Sequence, residues 1–392
     1  MKREILILIP HYLPGYKIGG PLTSIKNMID HISSHFHFSL LTSDRDLGDN
    51  LPFKNIRTNT WQVVDQYRIY YLRKNVFSIF RFITIINKSK PQILYISGLF
   101  TPFFSIYPVF LNKLGIIRPD AIVVAPKGEL YLEALKYNSL KKAVYLSSAR
   151  KLKFYKNIYF QASSAEEKQM LIDTLKIKPI KIAIAPNLPR KMNQVEEAAS
   201  QTMTKVNNDV INLAFISRIA KGKNLEYAFD ILSKVSAKTK FRIYGPIEDQ
   251  YVWDLCLKKA GDLPSNVTYE YMGVADRDEV CNILMQNDLL FFPTSAENFG
   301  HVISESLSVG TPVLISDNTP WKDLVSDGLG WDINLDSPEK FIEVLNKKLP
   351  ETKKQSTREQ RLKIIKSYHE RLDTEKIIND HLSLFSDVCE TR

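Results

Sequence analysis

"DLLFFPTSAENFGHVISESLSVGTPVLIS", residues 288–316, contains the unit from which the whole chain is built. "DLLFFPT" is a short apolar run of the kind a strand shows when both its faces are buried. Ser295 to Phe299 form a polar loop, and a helical segment starts near Gly300. That helix stops at Gly310, since a glycine just past the last turn takes the left-handed conformation that closes a helix. "TPVLIS" is then the next strand. Two carboxylates interrupt this otherwise ordinary pattern: Glu297 in the loop at the strand's carboxyl end and Glu305 inside the helix.

The same alternation extends in both directions. Upstream, "EILILIP", "FHFSLLT", "YRIYYL", "QILYIS", "AIVVAP", "IYFQAS" and "KIAIAP" are separated by helix-length segments at 22–34, 76–88, 102–114, 138–152 and 165–175. After a polar stretch at 187–209 comes a second series, "INLAFIS", "KFRIYG", "VTYEYMG", "DLLFFPT" and "TPVLIS". Apolar strands alternating with helices predict parallel sheets covered on both faces, and two series predict two doubly wound α/β domains. At 392 residues the chain also exceeds what one core comfortably fills. The expected division is 1–190, a linker at 191–208, a second domain at 209–370, and a C-terminal helix at 371–392 that crosses back to the first. Two such sheets are expected to face each other across a cleft, with ligands at the carboxyl ends of their strands.

Composition narrows the class. No apolar run approaches the ~20 residues that span a bilayer. "MKREILILIP" reads as a first buried strand, its apolar run being too short for a secretory signal. Three widely spaced cysteines (Cys256, Cys281, Cys389) form neither a disulfide framework nor a zinc pattern, which suits a reducing cytoplasm.

Three features carry chemistry. Arg218 lies just past a strand and Lys223 five residues on, so two cations at a strand's carboxyl end can clamp a diphosphate. The helix start near Phe299–Val302 offers backbone N–H groups to a phosphate, with Glu297 and Glu305 placed to accept hydrogen bonds from hydroxyl donors. At the first strand-to-helix turn, "HYLPGYKIGGPLTSI" has Gly19 and Gly20, where backbone can approach a ligand closely; it fits neither the dinucleotide nor the P-loop glycine pattern. Each also has a bland reading, as a solvated charge or an ordinary turn. Asp44-Arg45-Asp46 has the DxD form of metal-dependent transferases but reads as a solvated loop.

The Arg218/Lys223 pair and the Glu297–Glu305 element with its Asn298-Phe299-Gly300 resemble the retaining glycosyltransferases of family 4, as do the glycine turn and "TPVLISDNTPW". The resemblance implies a GT-B fold of two Rossmann-like domains and a nucleotide-diphosphate sugar as co-substrate, with no metal or other cofactor. It places Arg218 and Lys223 on the donor diphosphate, Glu305 on the ribose, and Glu297 with Asn298, Phe299, Gly300 and His301 on the transferred sugar. Gly19 and Gly20 close over the diphosphate, while Gly245 and Met272, Gly273 and Val274 line the base. Relatives with a histidine after the "AIVVAP" strand face the sugar with it; here Lys127 and Gly128 stand there, and Ser97 replaces another histidine, so the donor sugar stays open. Expected roles are metal-independent hexosyl transfer to a saccharide or polyprenyl-diphosphate-linked acceptor in bacterial capsule or lipopolysaccharide assembly. A nucleotide-sugar 2-epimerase and a catalytically silent partner subunit are the rivals.

Charge adds a partner. Residues 1–200 hold 29 Lys+Arg against 14 Asp+Glu, and residues 201–392 hold 24 against 29, so the first half is +15 and the second −5. Segments 72–90 and 136–157 mix cations with large apolar side chains, a pattern suited to an anionic membrane surface. No nucleic-acid-binding motif is present. The expectation is a cytoplasmic protein peripheral to the membrane.

Overall fold

The computed structural model describes residues 2–131, 134–135, 139–191, 209–351 and 358–390. The expected linker beyond Lys191 and the first residues of the basic stretch at 136–157 lie outside them. The chain forms two compact units, Met1–Leu188 with Thr374–Arg392, and Pro189–Asp373.

In the first unit, β1 (Arg3–Leu8), α1 (Gly20–Ile32), β2 (Phe36–Ser43), β3 (Trp61–Val64), β4 (Tyr67–Leu72), α2 (Ser78–Ser89), β5 (Ile93–Ser97), α3 (Tyr107–Lys113), β6 (Ala121–Ala125), α4 (Ser139–Lys151), β7 (Tyr159–Ala162), α5 (Ala165–Leu175) and β8 (Ile182–Ile184) follow in order. The sheet order is β3-β4-β2-β1-β5-β6-β7-β8. All neighbours are parallel except β3, which runs antiparallel to β4 at the edge. Sequence reading missed β3. Its outer side is solvated, with Val63 85% exposed, so it lacks the two-faced apolar run that marks the central strands.

The second unit follows with β9 (Ile211–Ile216), α6 (Leu225–Leu232), β10 (Thr239–Tyr244), α7 (Gln250–Ala260), β11 (Val267–Tyr271), α8 (Val280–Met285), β12 (Leu289–Phe292), α9 (His301–Ser308), β13 (Val313–Ser316), β14 (Gly330–Ile333), α10 (Pro338–Glu343) and α11 (Arg358–Arg371). Its sheet is β11-β10-β9-β12-β13-β14, all parallel. Phe215, Phe229, Phe241, Phe291 and Phe292 fill its core, meeting mostly edge to face, as between Phe215 and Phe292 with centroids 5.7 Å apart. Truncating any one of these rings to alanine costs about 3–5 kcal/mol.

The last helix, α12 (Thr374–Glu390), belongs to the first unit. Phe385 packs edge-on against Phe36 at 5.5 Å and Tyr95 at 5.9 Å, and the His381 Nε2–H donates to the Pro186 carbonyl at 2.8 Å. Burial lowers the His381 pKa to about 4, so this imidazole is neutral at physiological pH.

The Asp44-Arg45-Asp46 stretch corrects the sequence expectation. It is not a solvated loop: Asp44 and Asp46 are 1% and 2% exposed. Asp46 accepts from the backbone amides of Tyr16 (2.8 Å), Lys17 (3.1 Å) and Leu47 (2.8 Å), so its carboxylate fastens the loop that leads into α1. Asp44 accepts from Arg45 Nε at 2.8 Å. Buried carboxylates satisfied by amides and a guanidinium are structural, and the spacing alone could not distinguish that from metal ligation.

Candidate functional site

In the second sheet, β9 starts a run of strands to either side, β10 and β11 on one and β12 to β14 on the other. The strand order therefore reverses between β9 and β12, and the crevice outside their carboxyl ends is where open α/β sheets bind ligands. Arg218 and Lys223 lie in the loop after β9, and Glu297 in the loop after β12.

Those two loops are fastened together. The Gly222 carbonyl accepts from the Ser295 amide (2.8 Å), the Ser295 hydroxyl (2.9 Å) and the Thr294 hydroxyl (3.1 Å). Ser316, at the end of β13, donates its hydroxyl to the Thr294 carbonyl. Within that frame Lys223 Nζ forms an ion pair with Glu297, and both side chains are largely buried at 20% and 15% exposure. Arg218 pairs instead with Glu248, a residue the sequence reading did not single out. Its only sequence signal is position: it follows the β10 strand end, where the expected pocket lies. The two cations are thus each neutralised by a carboxylate rather than presented as a bare clamp.

The rest of the loop is positioned by aromatic packing. Trp321 Nε1–H donates to the Phe299 carbonyl at 2.5 Å, and its ring lies 5.8 Å from that of Phe299 and 6.1 Å, stacked, from Tyr368. Asn298 sits between Glu297 and this anchored carbonyl. His301 lies against the Phe299 ring at 4.9 Å. Gly300, at φ +76°, is the N-cap of α9 and has no side chain with which to cap that helix start. The Ile303 and Ser304 amides return to the Gly300 carbonyl, leaving the open end of the helix directed at the β12 loop.

α9 is buried along most of its length, through Ile303, Ser304, Ser306, Leu307 and Ser308. Its small side chains find local partners: Ser304 with the Tyr368 hydroxyl at 2.7 Å, and Ser306 with the Thr311 carbonyl at 2.8 Å. Glu305 sits in the same buried helix at 9% exposure. Burial lifts its pKa to about 7, against the opposing pull of the Arg277 and Arg190 charges. Neither arginine was foreseen. Both come from segments without periodicity, and only the fold brings them near α9.

Gly245, Gly273 and Val274 lie together at the ends of β10 and β11, where the Gly245 amide donates to the Gly273 carbonyl at 2.8 Å. Gly245 has φ +140°, and a Cβ there would stand 1.8 Å from the Ser217 carbonyl oxygen, one residue before Arg218. Gly245→Ala must push the β9 and β10 ends apart. The expected cost is at least about 3 kcal/mol, read as a lowered urea midpoint by tryptophan fluorescence. Three of the four tryptophans (Trp253, Trp321, Trp331) report on this unit.

In the first unit, Gly19 (φ +65°) stands at the start of α1 and Gly20 is its first residue. Ser97 ends β5 and is 4% exposed. Lys127 and Gly128 follow β6. The Lys127 ammonium donates to Asn187 Oδ1 at 3.2 Å, and the Gly128 amide donates to Glu167 Oε1 at 2.7 Å. Burial lowers the Lys127 pKa to about 8, with Glu167 opposing. Glu129 joins the two neighbouring loops by accepting from the Leu99 (2.5 Å) and Phe100 (3.2 Å) amides, and burial raises its pKa.

Two doubly wound units in one chain, the second with the Arg218–Lys223 and Glu297 loops at its switch point, define the GT-B class of α/β fold. Solved structures agree. Sucrose-phosphate synthase from Thermosynechococcus elongatus superposes with a TM-score of 0.74 over 100% of both chains at 13% identity. HepE from Anabaena, in complex with UDP-glucose, gives 0.66 over 97% of this chain and 99% of that one at 14% identity. WaaG, a glycosyltransferase involved in lipopolysaccharide biosynthesis, gives 0.61 over 98% of each at 14%. Residues 199–390 match the family glycosyl transferases group 1. In sequence, the chain is 25% identical over 175 residues to an uncharacterised 41.2 kDa protein of the Klebsiella pneumoniae cps region, covering 44% of this chain and 45% of that one. It is 23% identical over 188 residues to an uncharacterised glycosyltransferase of Sulfolobus islandicus rod-shaped virus 1, covering 47% and 52%. The chain spans about half the length of the curated relatives it matches.

Proposed function

We propose that this protein is a retaining, metal-independent glycosyltransferase moving a hexose from a nucleoside diphosphate sugar to a saccharide acceptor. The observation that carries the reading is the fastening of the Arg218–Lys223 loop to the Glu297 loop at the switch point of the second sheet, beside a helix start whose N-cap is a glycine. Departure of a nucleoside diphosphate develops negative charge. Two cations and helix N–H groups fixed in advance stabilise it without reorganising at the moment of reaction.

The ion pairs set the order of events. Lys223 and Arg218 pair with Glu297 and Glu248. An incoming diphosphate draws the two cations to itself and releases Glu297, which then accepts from hydroxyls of the sugar. Retention follows when the acceptor attacks from the face the diphosphate leaves, a leaving oxygen taking its proton. The HepE complex with UDP-glucose and the cps-region and lipopolysaccharide relatives support a nucleotide sugar and a surface-polysaccharide setting. The basic first half supports a lipid-linked acceptor and work at the inner face of an anionic membrane.

Thermal-shift measurement with UDP-, GDP- and ADP-sugars tests the reading. One of them at a hundredfold excess over Kd stabilises the chain by about 2.7 kcal/mol. The same donor turns over at an undiminished rate in EDTA. Absence of stabilisation by any nucleotide sugar removes the assignment, and full loss of rate in chelator removes its metal independence.

A further inference from the structure

The first unit carries a cavity that the donor chemistry does not use. It opens between β3, β4 and α2, encloses about 520 Å³, and is lined by Trp61, Arg68, Tyr70, Arg81, Thr84 and Lys88 among others. Arg68 and Tyr70 lie on β4, and Arg81, Thr84 and Lys88 along α2, so the cavity runs along the β3 edge of the sheet. Ser97, Lys127 and the glycine turn lie at the carboxyl ends of their strands.

Three cations line this cavity and no carboxylate does. Arg68 is held from behind. Its Nη2 donates to Glu4 at 2.9 Å, its Nε donates to Ser39 at 2.6 Å, and its guanidinium lies 4.7 Å from the Trp61 ring centroid. Arg81 and Lys88 have no such anchor: among the described residues no carboxylate is within ion-pair distance of either. Arg81 reaches the Tyr70 hydroxyl electrostatically, opposing the rise in that pKa that burial causes.

Cations gathered in one cavity repel one another, and an anion between them removes that cost. Spacing by three and four puts Phe77, Phe80, Arg81, Thr84 and Lys88 along one face of α2 and its entry, so the cavity's Arg81, Thr84 and Lys88 continue into Phe77 and Phe80 outside it. Phe77 and Phe80 are 62% and 66% exposed, and Val76 beside them 84%. Arg73 and Lys74 flank this apolar patch. Large apolar side chains left in water beside cations fit the boundary between headgroups and acyl chains.

We infer that this cavity holds the phosphate of an anionic lipid headgroup between Arg81 and Lys88, with Val76, Phe77 and Phe80 in the acyl boundary. The inference rests on the membrane-surface part of the reading above, and not on the transfer chemistry. It fixes which face of the first unit meets the bilayer and accounts for the 72–90 segment by specific contacts rather than by net charge.

Flotation of the full-length chain with vesicles tests it, using phosphatidylcholine alone and phosphatidylcholine with phosphatidylglycerol in equal parts. The chain binds only the anionic vesicles, and Arg81→Gln with Lys88→Gln weakens binding about thirty-fold. Lys176→Asn with Lys178→Gln, exposed cations just before β8 at the opposite sheet edge, changes it less than about two-fold. Equal weakening by both pairs means diffuse charge attraction and overturns the site. Undiminished binding by the Arg81/Lys88 pair sinks the site and leaves the membrane reading standing. If no vesicle binds, the membrane reading fails, and titration with dihexanoyl phosphatidylglycerol below its micelle concentration decides the cavity. Saturable tryptophan quenching that the Arg81/Lys88 pair abolishes upholds the site; no quenching removes it.

Discussion

Changing Lys223 to alanine lowers kcat by two to three orders of magnitude while the fold stays intact. Removing one preorganised donor from a site where charge develops in the transition state costs about that much. The fold survives because the loop does not depend on this side chain: the Gly222 carbonyl still holds Ser295 and Thr294. What the change leaves behind is Glu297 without its counter-ion, at 15% exposure. That carboxylate then meets the donor phosphate as a like charge, so donor affinity falls along with kcat. Glu297→Gln in the same background removes the repulsion and recovers part of the affinity but none of the lost turnover. The double-mutant cycle is therefore non-additive in Kd, with a coupling of the size contacting pairs show, about 0.5–3 kcal/mol. Donor titration calorimetry and steady-state kinetics on the wild type and the three variants, with circular dichroism as a fold check, measure this. Wild-type turnover in Lys223→Ala dissociates the cation from the chemistry.

The two sheets were legible because their strands are buried on both faces, which gives short unbroken runs such as "EILILI" and "LLFF" between helix-length segments. Gly310, at φ +75°, was legible as the stop of α9 because few other residues adopt that conformation. What stayed hidden was pairing across distance. Nothing near Arg218 announces Glu248, thirty residues on, and nothing near Glu305 announces Arg190 and Arg277. Asp46 was misread for the same reason: its amide partners, Tyr16 and Lys17, lie in another loop. Charge type and spacing suggest chemistry, whereas burial and partners decide whether a carboxylate is structural or reactive, and those belong to the tertiary fold.

Glu305→Gln separates stability from binding, and pH is the variable that shows it. In the folded chain burial raises this carboxyl from 4.5 to about 7. Below pH 4.5 both folded and unfolded chains are protonated there, and the group adds no pH dependence. Between 4.5 and 7 the unfolded chain releases its proton while the folded chain keeps it, so unfolding becomes easier as pH rises. Above 7 the folded chain bears a buried carboxylate at its full cost, about 3 kcal/mol from this shift. Glu305→Gln cannot ionise, so relative to wild type it gains about that much stability between pH 4.5 and 8, read from urea midpoints at matched ionic strength. A pH-independent difference between the two proteins refutes the raised pKa. The donor reverses the preference. In the proposed function, ribose hydroxyls donate to Glu305 and favour its charged form, each worth about 1.5–3 kcal/mol to an ionised acceptor. Near pH 6 donor binding therefore expels close to one proton, visible calorimetrically as a dependence of the binding heat on buffer ionisation enthalpy. Glu305→Gln loses that proton release and binds donor at least about tenfold more weakly. A variant that is more stable at pH 8 yet binds the nucleotide sugar as wild type does places the ribose elsewhere, since the buried charge would then serve no ligand.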